Sequence, residues 1–146
     1  MRFVFFLLML MGLGACLEQG DCLITNTTLT KVKLKSANTS TDTTIVFASV
    51  AIGDDVLLYE NQSLNNLVLP VNPAADSTLY VFEYGERKDT LVLRYRNETV
   101  VLSPDCGAFV FQRDLRASKN KVGVDSVRWL NKQLLKSVTV NAEIFF

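Results

Sequence analysis

The chain has 146 residues, with 15 Lys and Arg, 15 Asp and Glu, no His and 49% hydrophobic residues. This length predicts a single domain, and the balanced charge argues against a nucleic-acid partner, because phosphate contacts require clustered Lys and Arg. The absence of His excludes nucleophilic catalysis of the Ser-His-Asp and Cys-His kinds and removes the commonest metal ligand.

Residues 1–15 are predicted to be a signal peptide. Met1 and Arg2 precede an unbroken run of apolar residues that extends from Phe3 to Ala15. One positive charge followed by such a run is typical of a secretory signal. As a helix the run would measure about 20 Å, which is shorter than the ~30 Å hydrocarbon core of a bilayer. A transmembrane helix is therefore the weaker interpretation.

The junction Leu13-Gly14-Ala15-Cys16 resembles the lipobox of bacterial lipoproteins. In such proteins a peptidase cuts before the Cys, whose thiol carries a diacylglycerol and whose new amine is usually acylated, with palmitate as an expected chain. The pattern predicts lipidation of Cys16, and two or three acyl chains anchor a protein to a membrane almost permanently. An ordinary secretory signal followed by a chance Cys is the alternative.

Once Cys16 carries lipid, Cys22 and Cys106 are the two remaining thiols. An even pair of Cys in an oxidising compartment predicts a disulfide. The bridge would enclose about 85 residues and would stabilise the fold by roughly 4–5 kcal/mol on the chain-entropy account. Two reduced thiols are the alternative, and a metal site is disfavoured because two thiolates without His make a poor ligand set.

Residues 29–146 are predicted to form one β-domain, preceded by the lipid anchor and a short N-terminal arm at residues 16–28. In the domain the apolar residues recur mostly with period two, and Val and Thr are abundant, as in strands. The short strands and frequent turn residues predict an all-β antiparallel sandwich or barrel, of which we take the single β-sandwich, Ig-like or similar. The predicted strands cover residues 31–35, 45–52, 56–59, 67–69, 79–84, 90–96, 99–102, 108–112, 122–130 and 138–146.

The pattern also contains three predicted turns and one segment that fits two kinds of secondary structure. Residues 85–88 are predicted to be the turn of a hairpin, and residues 96–98 and 103–105 are predicted to be tight turns. Residues 126–135 also fit a helix, because their apolar side chains have helical spacing. Strand and helix stay open there.

An aromatic series offers the best candidate for a binding site. Tyr80, Phe82 and Tyr84 share one face of a predicted strand because they are spaced by two. On an exposed face such rings would stack on a sugar or another ligand, whereas on a buried face they are core residues. The core interpretation is favoured. Neighbouring carboxylates such as those of Asp54 and Asp55 supply too few oxygen ligands for a calcium site. Adjacent residues of a strand also point to opposite faces, so their carboxylates do not meet in one site. The sequence therefore predicts no catalytic residue, no metal site and no cofactor.

A resemblance to a known family rests on several short motifs. These are the lipobox, the early Cys22, the Leu-Pro step at 69–70, the Ser-Pro-Asp-Cys-Gly run at 103–107, Asp125-Ser126-Val127 and the terminal Glu-Ile-Phe-Phe. Together they resemble a family of uncharacterised Bacteroidetes lipoproteins, which implies an outer-membrane lipoprotein of no known activity. Asp42-Thr43-Thr44 is similar to the O-glycosylation motif of Bacteroidetes and makes Thr43 a candidate for modification.

The function expected from these features is not enzymatic. We expect a lipid-anchored domain of the bacterial outer membrane, facing the periplasm rather than the cell surface, with a structural role or an envelope protein as its partner. The alternative is a carbohydrate- or ligand-binding module that is accessory to an uptake system. An envelope enzyme is the third interpretation.

Overall fold

The computed structural model describes residues 28–104, 106–118, 126–134 and 139–146. The predicted signal peptide, Cys16 and Cys22 lie outside these residues. The described residues form strands, turns and irregular segments, with no helix among them. The strands are β1 (Leu29–Lys35), β2 (Ile45–Ile52), β3 (Val56–Leu64), β4 (Asn66–Pro70), β5 (Ser77–Tyr84), β6 (Arg87–Ser103), β7 (Gly107–Ser118), β8 (Ser126–Trp129) and β9 (Val140–Phe145).

The nine strands of the described residues form two sheets that pack face to face. The four-stranded sheet has the order β4-β1-β9-β8, and the five-stranded sheet has the order β3-β2-β5-β6-β7. Leu34 and Ile144 of the first sheet are buried in one core with Phe47 and Phe82 of the second. The predicted all-β sandwich is confirmed, and residues 126–129 are a strand rather than the beginning of a helix.

The first two strands follow directly from the local sequence. In β1 the side chains of Val32 and Leu34 are buried and that of Lys33 is exposed, as strict alternation requires. The bounds of β2 coincide with the apolar segment predicted at 45–52. The Gly at position 53 then has a φ of 57°, which glycine adopts without steric cost, and it begins the turn into β3.

One pair of strands is parallel, in contrast to the wholly antiparallel sandwich that we predicted. β9 lies between β1 and β8 and runs parallel to β1. The apolar alternation shows that residues 140–145 are a strand, but it carries no information about direction. As a central strand, β9 is hydrogen-bonded at both edges, and its two faces are covered as well. Ala142 and Ile144 are buried, and so are Asn141 and Glu143 on the opposite face.

The chain crosses between the two sheets at three fully described connections, which join β1 to β2, β3 to β4 and β4 to β5. After β8 the chain reaches β7, where the Leu115 N–H donates to the Lys132 carbonyl (3.1 Å) and the Leu134 N–H donates to the Gln112 carbonyl (2.9 Å). The segment that follows β8 therefore covers part of the outer edge of β7.

β6 is longer than predicted because residues 96–98, expected to turn, continue the strand. A bulge in β7 accommodates this length, since Asp114 and Leu115 together lie opposite Tyr95. Asp114 has a positive φ of 56°, which is typical of one kind of bulge and increases the local twist. The prediction of a turn at residues 96–98 was wrong because polar residues were taken for turn residues.

Candidate functional site

The distal part of the β6–β7 ribbon extends beyond the five-stranded sheet. The pairing of β5 with β6 ends where Ser77 lies opposite Arg94, so the following residues of β6 are paired with β7 alone. We call residues 98–103 and 107–111 the hairpin arm. Two-stranded ribbons are marginally stable by themselves in water, so contacts at its base and along its faces are needed to hold this arm in place.

The base of the hairpin arm is fixed by Asn97. Its side-chain amide donates to the carbonyls of Pro73 (3.1 Å) and Ala75 (2.6 Å) in the loop between β4 and β5. Its side-chain oxygen accepts a hydrogen bond from the Gln112 amide (3.0 Å), and Gln112 is fully buried. Beside it, Glu98 forms an ion pair with Arg113 (2.5 Å). These bonds set the direction of the arm relative to the sandwich.

The hairpin arm is apolar on both faces. Val101 is 71% exposed, and the other large apolar side chains described in the arm, Val100, Phe109, Val110 and Phe111, are half-buried. Between Glu98 and Arg113 the sequence contains a single charged residue, Asp105. The surface of the arm is therefore formed mainly by apolar side chains, whose removal from water is favourable.

Cys106 lies at the tip of the hairpin arm. The sequence predicted a turn at residues 103–105. Among the described residues of this segment, Pro104 and Cys106 are turn residues. The Cys106 N–H donates to the Ser103 hydroxyl (3.1 Å), and Gly107 has a φ of 70°, which suits a residue without a Cβ. This places the half-buried cysteine at the point of the arm farthest from the sandwich.

Four arginines lie behind the arm and form what we call the arginine cluster: Arg94, Arg96, Arg113 and Arg116. Arg96 is paired with Asp114 (3.1 Å), and Arg113 with Glu98. Arg94 and Arg116 lie directly opposite each other across the strands, are exposed, and have no ion pair with any described acidic residue. Like charges in this position repel, so they make a basic surface next to the apolar arm.

The aromatic series proposed as a ligand site belongs to the core. Tyr80 and Phe82 are fully buried and Tyr84 is half-buried. The Tyr80 hydroxyl donates to the Pro70 carbonyl of the opposite sheet (2.7 Å), and the Phe82 ring packs against the Phe47 ring with centroids 6.1 Å apart. The three side chains therefore hold the two sheets together, which is the core interpretation that the sequence favoured.

Ionisation of Tyr80 should couple stability to alkaline pH. Burial raises the pKa of the Tyr80 hydroxyl above its usual range, whereas in the unfolded chain it ionises near pH 10. The contribution of the neutral Tyr80 hydroxyl to the unfolding free energy is complete below pH 10 and is lost as the pH rises above that value, because the unfolded chain then ionises more readily. Tyr80→Phe should cost about 0.5–1.5 kcal/mol of unfolding free energy at pH 8. The deficit should shrink by roughly 1.4 kcal/mol per pH unit above 10.

Urea denaturation of both proteins between pH 8 and pH 11 measures this difference. A deficit that stays constant across that range would show that Tyr80 ionises equally well in the folded protein.

Comparison with known proteins adds a family to this description. A protein-family model matches residues 43–146, and its description is a family of unknown function, DUF6452. The chain belongs to the DUF6452 family. The matched part of this DUF6452 protein contains the hairpin arm and Cys106, whereas Cys16 and Cys22 precede it. No curated protein and no solved structure matches the chain. The comparison therefore establishes membership of a family of unknown function, which is one part of the predicted resemblance.

The remaining predicted sites of the DUF6452 chain are not brought together. Thr43 is half-buried in the loop between β1 and β2, where its N–H donates to the Leu34 carbonyl (3.1 Å). Asp42 beside it is bonded to Lys35 (2.5 Å), and this hydrogen bond lowers the pKa of the Asp42 carboxyl. Modification of Thr43 stays a prediction, as do lipidation of Cys16 and the disulfide of Cys22 with Cys106.

Two buried polar side chains, Asn141 and Glu143, were not singled out by the sequence analysis. The Asn141 side chain accepts a hydrogen bond from the Lys31 N–H (3.0 Å) and donates one to the Gln133 carbonyl (3.1 Å). Glu143 accepts a hydrogen bond from Arg128 Nε (2.6 Å) and lies 3.6 Å from the Lys35 ammonium. Both buried side chains therefore have their hydrogen-bonding groups paired and have structural roles.

The described part of the chain contains neither a cluster of metal-binding side chains nor a membrane-spanning helix. Residues 28–104, 106–118, 126–134 and 139–146 contain no group of three or more Cys, Asp or Glu side chains placed to hold a metal ion. Within the same ranges the structure has no helix of the length and hydropathy that a membrane crossing requires.

Proposed function

We propose that the chain is a lipid-anchored domain of the bacterial outer membrane, facing the periplasm, with a structural or protein-interaction role. The observation that carries this proposal is the sequence Leu13-Gly14-Ala15-Cys16 at the end of an apolar run. The β-sandwich begins at Leu29, only 13 residues after Cys16 by sequence number. A domain at this distance from its anchor is suited to holding or binding something close to the membrane.

The described residues support a scaffold better than a ligand-binding module. The aromatic series at Tyr80, Phe82 and Tyr84 is packed in the core, so the stacking surface required by the carbohydrate-binding alternative is not exposed there. The sequence also lacks His, the commonest general base. We therefore favour a non-catalytic role with an envelope protein as the partner.

We also infer a disulfide between Cys22 and Cys106. The Thr28 carbonyl accepts a hydrogen bond from the Val71 N–H (2.7 Å), so the chain enters the sandwich next to the loop that holds Asn97. From Thr28 back to Cys22 there are six residues, as there are from Asn97 to Ser103. Each extended segment spans about 20 Å. Cys22 can therefore reach the tip of the hairpin arm, where Cys106 lies.

Membrane fractionation of a Cys16→Ala variant tests the anchor. The chain is expressed in a bacterium with its own N-terminus, and membranes are washed with high salt and with carbonate. We expect the parent protein to stay with the membrane and the Cys16→Ala variant to be lost from it almost completely, because the acyl chains supply the binding. Retention of Cys16→Ala after both washes would contradict the proposal.

The Cys22→Ser variant is the matched control, because it removes a nearby thiol without touching the lipidated residue. It should remain with the membrane. Peptide mapping of the parent protein without reductant should find the Cys22 and Cys106 peptides joined, and reductant should separate them. Two separate peptides before reduction would exclude the disulfide while leaving the anchor intact.

A further inference from the structure

The hairpin arm and the arginine cluster form one continuous amphipathic element. The tip is uncharged except for Asp105, it exposes Val101, and four arginines follow immediately at its base. Elements that rest in a membrane interface have the same arrangement, with apolar side chains at the acyl boundary and Lys or Arg at the level of the phosphates.

We propose that the hairpin arm enters the headgroup region of an anionic phospholipid membrane, tip first, with the arginine cluster facing the membrane surface. This inference rests on the lipid anchor proposed above. It also assigns the domain an orientation. The loop between β1 and β2, which contains Thr43, lies at the opposite end of the sandwich and would point away from the membrane.

The length of the tether supports contact between the tip and the lipid. Six residues separate Cys16 from Cys22, and an extended segment of that length spans at most about 20 Å. If Cys22 is bonded to Cys106, the tip cannot lie farther than this from the membrane surface. A tethered group at such a short distance has a high effective concentration, so even a weak intrinsic affinity keeps the arm at the lipid.

The dimensions of the arm place both of its parts at suitable depths. Gly107 and Arg113 are six residues apart in β7, which corresponds to about 20 Å of strand. The headgroup layer is roughly 6 Å thick, and interfacial elements enter the acyl boundary by about 5–10 Å. Arg113 would then lie roughly 4–9 Å above the headgroups, within about one Debye length at physiological salt. Arg94 and Arg116 are nine residues from the tip and would lie about 10 Å farther out.

Electrostatics favours an anionic membrane over a neutral one. Arg94 and Arg116 are not paired with a described acidic side chain, and each lies opposite the other with like charge. Anionic lipid would relieve this repulsion. An arginine near such a surface strengthens binding by about fivefold. At the distance of Arg94 and Arg116 this effect is largely screened at physiological salt and develops at about 0.01 M salt, where the Debye length is about 30 Å.

Tryptophan fluorescence in the lipidated full-length protein tests the arm. Trp129 is the single Trp of the sequence, so Trp129→Phe provides a background into which Val101→Trp is introduced. Val46→Trp is the matched control, because Val46 is 67% exposed and Val101 is 71% exposed, and Val46 lies at the opposite end of the sandwich. Thermal melts check that both variants remain folded.

The proteins are reconstituted into vesicles of phosphatidylethanolamine and phosphatidylglycerol that contain acyl-brominated lipid. We expect Trp at position 101 to shift to the blue and to lose about half or more of its emission, and Trp at position 46 to be unaffected. Equal quenching at the two positions in protein that floats with the vesicles would overturn the arm proposal and leave the anchor standing. Protein that does not float would count against both.

Removal of the two arginines examines the charge component separately. At about 0.01 M salt, where the Debye length is about 30 Å, adding Arg94→Gln and Arg116→Gln to the Val101→Trp protein should reduce quenching in the anionic vesicles to the level found in phosphatidylcholine vesicles. Unchanged quenching would show that apolar insertion alone holds the arm and would overturn the assignment of the arginine cluster to lipid.

Discussion

Replacement of Phe47 by Ala should lower the free energy of unfolding by about 3–5 kcal/mol. The Phe47 side chain is fully buried, and its ring lies 5.9 Å from the rings of both Tyr84 and Phe146. Phe146 follows the last strand of the four-stranded sheet, whereas Phe47 and Tyr84 belong to the other sheet. The substitution therefore leaves a cavity at a contact between the two layers, and close-packed neighbours refill such a cavity only in part.

Urea denaturation, followed by circular dichroism, measures this loss. The adjacent Val46→Ala is the matched control, because that side chain is largely exposed and its removal should change stability by no more than about 0.5 kcal/mol. A loss below about 1 kcal/mol for Phe47→Ala would mean that Phe47 does not occupy the interior position described here.

Asn141→Ala should cost about 1–3 kcal/mol, the cost of one unsatisfied buried group, because it removes the hydrogen-bond partner of two backbone groups and one of them belongs to the exposed Gln133, which can bond to water. These groups are the N–H of Lys31 and the carbonyl of Gln133. The bonds join β1, β9 and the segment that crosses to β7. The amide of Asn141 thus connects three parts of the chain that are distant in sequence, and no apolar side chain can replace its hydrogen bonds.

Hydrogen exchange at the Lys31 amide reports directly on this contact. In the parent protein the amide should be protected, and in Asn141→Ala its exchange should accelerate more than that of amides in β2. The control is Asn66→Ala, because Asn66 is exposed and its side chain bonds to the neighbouring Asn65. If Asn141→Ala and Asn66→Ala have equal stability, the buried amide is not structurally important.

The strands that could be predicted are those whose evidence is local. β1 and β2 were found because burial alternates along them with period two or because the apolar segment is uninterrupted. The error at residues 96–98 and the unforeseen role of Asn141 have a common physical cause. In both places a polar side chain is paired with a backbone group from a remote part of the chain, and a sequence pattern cannot show which remote group is near.

The candidate site was accessible to the sequence in part. The turn at Cys106 was predicted, and the run between Glu98 and Arg113 is visibly poor in charge. The sequence does not show that this run extends beyond the sheet. It does so because β5 begins at Ser77, opposite Arg94, and this register depends on tertiary pairing. The arginine cluster was missed for the same reason, because Arg94 and Arg116 are far apart in sequence and become neighbours through the register of the ribbon.

The position of β9 determines when the protein can fold. This last strand is inserted between β1 and β8, and it bonds to residues 110 positions earlier in the chain. The Phe146 carbonyl itself accepts a hydrogen bond from the Ala37 N–H (2.9 Å). β1 therefore gains β9 as its neighbour only when residues 140–145 have been synthesised, and pairings of such long range are slow to form. The four-stranded sheet is thus expected to be completed late in folding, after the strands of the five-stranded sheet have become available for pairing.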